Sequence, residues 1–377
     1  MHYSLARKVR PKMIVSNISL LFIMHTPATL KSQVLSPQSL KSVELVEEAW
    51  ILLDSSSIFS GWSGYRKIPV FIGSVDNQGV FINPDREVPA GYSQITSDFA
   101  GKIFIRNPSG VNFSGAGVGV LVDDIYYRNY VKLNSYSTTF KNDYISFIEN
   151  YFSIDHLPDS VYLLINSQEY YKSVYFHEAF HIFQQNSKPW QSHRAINYQR
   201  PEIAALSCIE GSLLQKAYYT DSNEEAKELI RDFIAVRVFK NSKLTKRQIN
   251  YEEDYEWIEG GAMYIQSKLL KSMLPLNQVK YIHYLDSLNL HNSINNLSIP
   301  GNKEYYYGQC QAFLLDRFYG EKWQTRILLK DVYLTDLLME AVNYDPSYQE
   351  QRLSIILALY NLPLMKREIR AQLRNLK

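Results

Sequence analysis

Two histidines and a glutamate within five consecutive residues, His177-Glu178-Ala179-Phe180-His181, carry the clearest chemistry in this sequence. On an α-helix, residues four apart lie one above the other, so both imidazoles can face a single metal ion. Glu178 stands beside the first of them, where it can take a proton from a water activated at that ion. With 8 His and 21 Glu in 377 residues, this HExxH spacing arises by chance roughly 0.01 times. That frequency disfavours the structural alternative, two core histidines beside a solvated glutamate. The surroundings read as helix. Asn166 with Glu169 three residues on resembles a capping box, and Val174, Phe180, Ile182 and Phe183 supply apolar contacts. A short β-prone run at 161–165 leads into it.

A catalytic zinc takes three protein ligands and leaves one position open. No third histidine follows at the close spacing of HExxHxxGxxH, because position 184 is Gln. Three later glutamates are candidates: Glu202, with 20 residues between it and His181; Glu210, in Ile209-Glu210-Gly211; and Glu259, with 77 residues between. No GxSxG sequence or Cys–His pairing supports a covalent mechanism instead.

The pair of segments His177–His181 and Glu259-Gly260-Gly261-Ala262-Met263-Tyr264 resembles the glutamate-liganded zincins, the gluzincin-like metallopeptidases. Many of these draw the third ligand from an EGxAxY helix. The resemblance implies a zincin-like α+β fold and a Zn2+ cofactor held by His177, His181 and Glu259. It also implies Glu178 as general base and a peptide or protein as substrate. Gly260, Gly261 and Ala262 would let the two helices approach, although Gly261 stands where a larger apolar residue is more usual. Such enzymes often place a tyrosine hydroxyl or a second histidine near the oxyanion. Tyr306 and Tyr307, in Tyr305-Tyr306-Tyr307-Gly308, are candidates, and so is His193, although with 29 tyrosines packing is the simpler role. Glu256, one turn before Glu259, is a candidate acceptor for a ligand histidine. The resemblance covers roughly 177–264 and does not extend to residues 40–150. The alternative function is a zincin-fold protein that keeps zinc for binding or interaction without turnover.

The elements that must hold these residues can be read more coarsely. Residues 40–55 predict a helix, with Val43, Leu45, Val46, Trp50, Leu52 and Leu53 at helical spacing. From about 61 to 122 the chain is strand-like, with runs at 68–72, 80–82 and 102–105, the first two suggesting a hairpin. Gly115, Gly117 and Gly119 suggest a loop or bulge rather than a phosphate cradle. From 141 onward the pattern is helical. The expected architecture is α+β: a small β-containing region over 33–150 and a large helical catalytic region over 151–377.

Composition bounds the rest. Apolar residues make up 46% and charged residues 21%, which excludes wholesale disorder and a multi-span membrane protein. A net charge of +2 lacks the basic excess that phosphate binding needs, so a nucleic-acid partner is not expected. Cys208 and Cys310 are too few for a disulfide scaffold and read as buried thiols. Arg7, Lys8, Arg10 and Lys12 precede an apolar run at 14–24, too short to span a bilayer, and the pattern is that of a secretory leader over 1–32. Cleavage after Ser32 removes five basic residues and no acidic one, taking the net charge from +2 to −3; cleavage after Ala28 is the other option. The expected location is outside the cytoplasm, with no membrane span after processing.

Overall fold

Strands β1 (Val70–Gly73) and β2 (Gly79–Ile82) are buried along their whole length, so their sheet must be covered on both faces. In the computed structural model the described residues are 34–375, apart from 74–77, 96–98, 100, 107–112, 115–117, 135, 137–163, 165–166, 190–199, 280–281 and 283–301. The leader, His193, most of the 161–165 run and two of the three clustered glycines, Gly115 and Gly117, lie outside them.

β1 and β2 form the expected antiparallel hairpin, with Val70 opposite Ile82. β3 (Ser93–Ile95) and β4 (Ile103–Arg106) extend the sheet beyond β2, and β8 (Val131–Asn134) joins β1 in parallel, giving the order β3-β4-β2-β1-β8. A second sheet is made of β5 (Phe113–Ser114), β6 (Gly119–Val122) and β7 (Ile125–Arg128). Gly119 therefore starts a strand, where the sequence suggested a loop. The β6–β7 turn is made by Asp123 and Asp124, both at positive φ (45° and 66°), which suits a tight hairpin. Alternation divides the larger sheet. Val70, Ile72, Val80, Ile82, Ile105 and Leu133 enter the main core. Phe71 and Phe81 turn the other way, onto Val120, Val122, Tyr127 and Tyr130 around the small sheet.

Helix α1 (Pro37–Ser55) is capped by Ser36, whose side chain accepts from the Ser39 N–H, and it buries Val43, Val46, Ala49 and Trp50. Trp50 Nε1 donates to the Tyr175 hydroxyl at 2.6 Å, tying α1 to α2 (Gln168–Ser187). Further helices among the described residues are α3 (Pro201–Tyr219), α4 (Asn223–Asn241), α5 (Lys246–Tyr255), α6 (Gly261–Met273), α7 (Asn302–Phe318), α8 (Lys322–Arg326), α9 (Leu334–Ala341), α10 (Gln349–Leu359) and α11 (Leu362–Asn375). Between α5 and α6 one π-helical turn, Glu256–Gly260, widens the backbone. The fold is mixed α+β, mostly helical with a small N-terminal sheet region. One apolar core takes side chains from α1, the sheet and the helices beyond α2, so the β-containing and helical parts share their interior. Cys208 and Cys310 are buried thiols rather than a disulfide, and burial pushes the Cys208 thiol up to about 12.

α7 crosses the π turn at two glycines. A Cβ at Gly308 would land on the carbonyl oxygen of Glu256, and one at Gly260 would land on the backbone of Gly308. Neither obstacle is a side chain that can swing away, so the close crossing requires glycine on both sides.

Candidate metal centre

α2 starts one residue later than the sequence suggested. Its N-cap is Ser167, whose side chain accepts from the Tyr170 N–H at 3.1 Å. Nearly three turns on, His177 and His181 point the same way and are almost fully buried, at 7% and 9% exposure. Their Nε2 atoms stand 3.1 Å apart. Glu259, from the π turn, places Oε2 at 3.3 Å from His181 Nε2 and 3.6 Å from His177 Nε2. Among the described residues this is the one His/Cys/Asp/Glu group with metal-binding geometry.

The protonation of the pair follows from Gln184, one turn beyond His181. Its Nε2 donates to two backbone carbonyls of the π turn, Trp257 O at 2.7 Å and Ile258 O at 3.0 Å. Carbonyls only accept, so the amide cannot be flipped, and its oxygen faces His181 Nδ1 at 3.0 Å. One proton therefore sits on Nδ1, so Nε2 is the nitrogen that can offer a lone pair toward His177 and Glu259 when His181 is neutral. Two imidazole nitrogens facing each other at 3.1 Å require a cation between them or a proton on one. In the metal-free chain a proton serves. Burial alone would lower the His181 pKa, but the Glu259 carboxylate more than offsets it and raises the value to about 9. Burial likewise opposes ionisation of Glu259, yet the two histidines hold its pKa well below the usual carboxylate range.

The donor set fits zinc. Zinc–nitrogen and zinc–oxygen bonds of about 2.0–2.1 Å at tetrahedral angles place ligand atoms about 3.3 Å apart. The three separations here are 3.1, 3.3 and 3.6 Å. Two imidazoles and a carboxylate would hold zinc with one coordination position to spare, and all three residues line a cavity of about 310 Å³. Glu178 lines that cavity, and its Oε2 is buried with no hydrogen-bond partner among the described residues.

The other glutamate candidates lie elsewhere. Glu202 makes loose ion pairs with Lys243 at 3.5 Å and Lys366 at 3.6 Å on the surface side of α3. Glu210 is fully buried and bound by Arg237 at 2.9 Å and Lys240 at 2.6 Å. Glu256 is no acceptor for a histidine, because both its oxygens are held by Arg237. Gln184 has the role expected of Glu256, although the sequence reading used it only to exclude a third histidine.

The tyrosine candidates also need correction. Tyr307 is buried and donates its hydroxyl to Ser207 O at 2.8 Å, away from the site. Tyr306 packs against the main core and does not line the cavity. It is Tyr305 that lines the cavity, its ring parallel to His177 (8° between planes, centroids 6.3 Å apart). Consecutive helix residues point about 100° apart, so only one of three adjacent tyrosines can face the metal ligands. The signal that would have chosen it was Gly308, one turn on and on the same face, which marks where α7 meets the π turn. Burial, reinforced by the negative charge of Glu259, pushes the Tyr305 hydroxyl far above its usual pKa.

Gly261, which departs from the resemblance noted above, has a local reason. A Cβ there would lie 2.8 Å from Gln184 Nε2, the atom that ties α2 to the π turn. No family model, curated protein or solved structure matches the chain.

Proposed function

We propose that this protein is an exported zinc-dependent peptidase of the gluzincin-like kind, with a zincin-like arrangement of its two ligand-bearing helical segments. The observation that carries this reading is the convergence of His177 Nε2, His181 Nε2 and Glu259 Oε2 at separations of 3.1–3.6 Å. Gln184 supports it by holding one imidazole in the ligand tautomer. Zinc at such a site lowers the pKa of water toward ~7 and polarises a carbonyl.

The chain's own residues supply the proton transfers. Glu178 lines the cavity and has a carboxylate oxygen with no hydrogen-bond partner among the described residues, so it can accept a proton from the attacking water and pass it to the leaving amine. The Tyr305 phenol is protonated at neutral pH, and burial with the Glu259 charge opposes its ionisation further, so its hydroxyl can donate to the oxyanion. Tyr305→Phe is expected to lower kcat by about 10²–10³-fold with the zinc content unchanged. An unaltered kcat would remove Tyr305 from the reaction.

Export rests on the basic stretch and short apolar run at the N-terminus. Among the described residues no helix is long and apolar enough to cross a membrane.

Metal analysis followed by digestion of a peptide library tests the whole reading. The expected result is one zinc per chain and cleavage that a chelator abolishes and added zinc restores. Tight zinc without cleavage of any peptide would favour the binding protein, and a chain that takes up no metal would end both readings.

A further inference from the structure

Beneath the metal centre lies a cluster of buried acidic and basic side chains that takes no direct part in the chemistry above. Arg237 on α4 grips Glu256 with both terminal guanidinium nitrogens, Nη2 to Oε1 at 2.7 Å and Nη1 to Oε2 at 3.0 Å, and its Nε donates to Glu210 at 2.9 Å. Lys240, one turn along α4, joins Glu210 at 2.6 Å to Glu252 at 2.7 Å, and Lys303 also pairs with Glu252. Gln311 of α7 donates to Glu256 Oε2 at 2.8 Å and accepts from Thr335 Oγ1 at 3.1 Å. Arg237, Lys240, Glu210, Glu252 and Glu256 are each at most 1% exposed.

A cluster this deep is a poor route to stability alone, since well-packed apolar residues of similar volume are often as stable or more so. Its placement suggests a positional task. Glu256 and Glu259 belong to the same π turn, and the wide π geometry is intrinsically disfavoured, so something must hold it. Four constraints meet on that turn. Gln184 binds the Trp257 and Ile258 carbonyls from α2, Gly308 of α7 abuts the Glu256 carbonyl, and the Glu256 side chain is held by Arg237 from α4 and by Gln311 from α7. Only Arg237 adds a bidentate, charge-assisted clamp, whose planar fork fixes direction as well as distance.

Building on the metal centre proposed above, we propose that Arg237 is a positioning residue for the third ligand: its clamp on Glu256 sets the rotation of the π turn that aims Glu259 at the two histidines. Lys240 and Lys303 balance the charge of the cluster but do not touch the turn's carboxylate.

The test uses cobalt(II), whose visible absorption reports ligand geometry, on the full chain. Arg237→Met combined with Glu256→Gln removes one charge of each sign, so the remaining cluster keeps its balance. This double variant is expected to bind cobalt about 10- to 100-fold more weakly, with a shifted absorption band. Arg237→Lys keeps the charge but loses the fork, and the same direction of change is expected. A parallel double variant, Lys240→Met with Glu252→Gln, removes an equally buried pair that does not contact Glu256. It is expected to lower the melting temperature while leaving the cobalt spectrum and affinity at their wild-type values.

Wild-type cobalt affinity and spectrum in the Arg237 variants would overturn the proposal, as would an equal change in both double variants, which would mark the effect as general loosening. If the Arg237→Met double variant does not fold, Arg237→Lys decides by the same readout. A wild-type chain that binds no cobalt would instead remove the metal centre itself, so the two failures are distinguishable.

Discussion

Glu178→Gln is expected to lower kcat by on the order of 10³-fold while leaving one zinc bound per chain. Gln has the shape of Glu but neither charge nor a basic lone pair able to carry a proton at neutral pH. The replaced oxygen, Oε2, is buried with no hydrogen-bond partner among the described residues, so the fold loses no bond there. Glu178 also stands outside the ligand triangle of His177, His181 and Glu259. Stability should therefore stay within about 0.5 kcal/mol of wild type. Metal analysis, thermal denaturation and steady-state kinetics on one preparation separate the effects. An unchanged kcat would eliminate Glu178 as the base. Loss of zinc would show that the residue serves the metal rather than the proton.

Glu259→Ala is expected to weaken zinc binding by more than the roughly 100-fold that loss of a supporting hydrogen bond costs, since here a ligand itself is removed. The variant should still fold. Removing the carboxylate also removes what holds His181 protonated up to about 9 in the metal-free chain, so the imidazole can become neutral rather than remain a buried unpaired charge. Two control variants distinguish position from charge. Glu202→Ala breaks only half-exposed ion pairs at 3.5–3.6 Å and should change stability by at most about 1 kcal/mol, with zinc retained. Glu210→Ala leaves Arg237 and Lys240 short of a buried partner and should cost about 3–5 kcal/mol, measured by denaturant titration, again without removing a ligand. Wild-type zinc content in Glu259→Ala, or its loss in Glu202→Ala, would assign the third ligand wrongly.

The hairpin of β1 and β2 was legible because each strand is a short apolar run bounded by turn residues. β7 and β8 were missed: Ile125–Arg128 mixes exposed and buried positions, and the turn before it uses two aspartates in left-handed conformation rather than an Asn-Gly signal. Ser167 displaced Asn166 as the cap of α2, a one-residue error typical of helix ends.

The sequence by itself determined the pairing of His177 and His181, because a spacing of four on a helix is a local property that needs nothing from the rest of the chain. It likewise put Glu178 beside the first ligand. It could not choose among Glu202, Glu210 and Glu259 from spacing alone, and only the resemblance to the zincins favoured the last. Tertiary structure decided which of them meets the histidines: α7 and the π turn cross at Gly308 and Gly260, and that crossing brings Glu259 and Tyr305 to α2 while Arg237 and Lys240 hold Glu210 away. The roles of Gln184 and Tyr305 were likewise set in three dimensions. A glutamine amide gains its orientation from two carbonyls more than seventy positions along the chain, and one of three consecutive tyrosines gains its site from the phase of a helix against its neighbour.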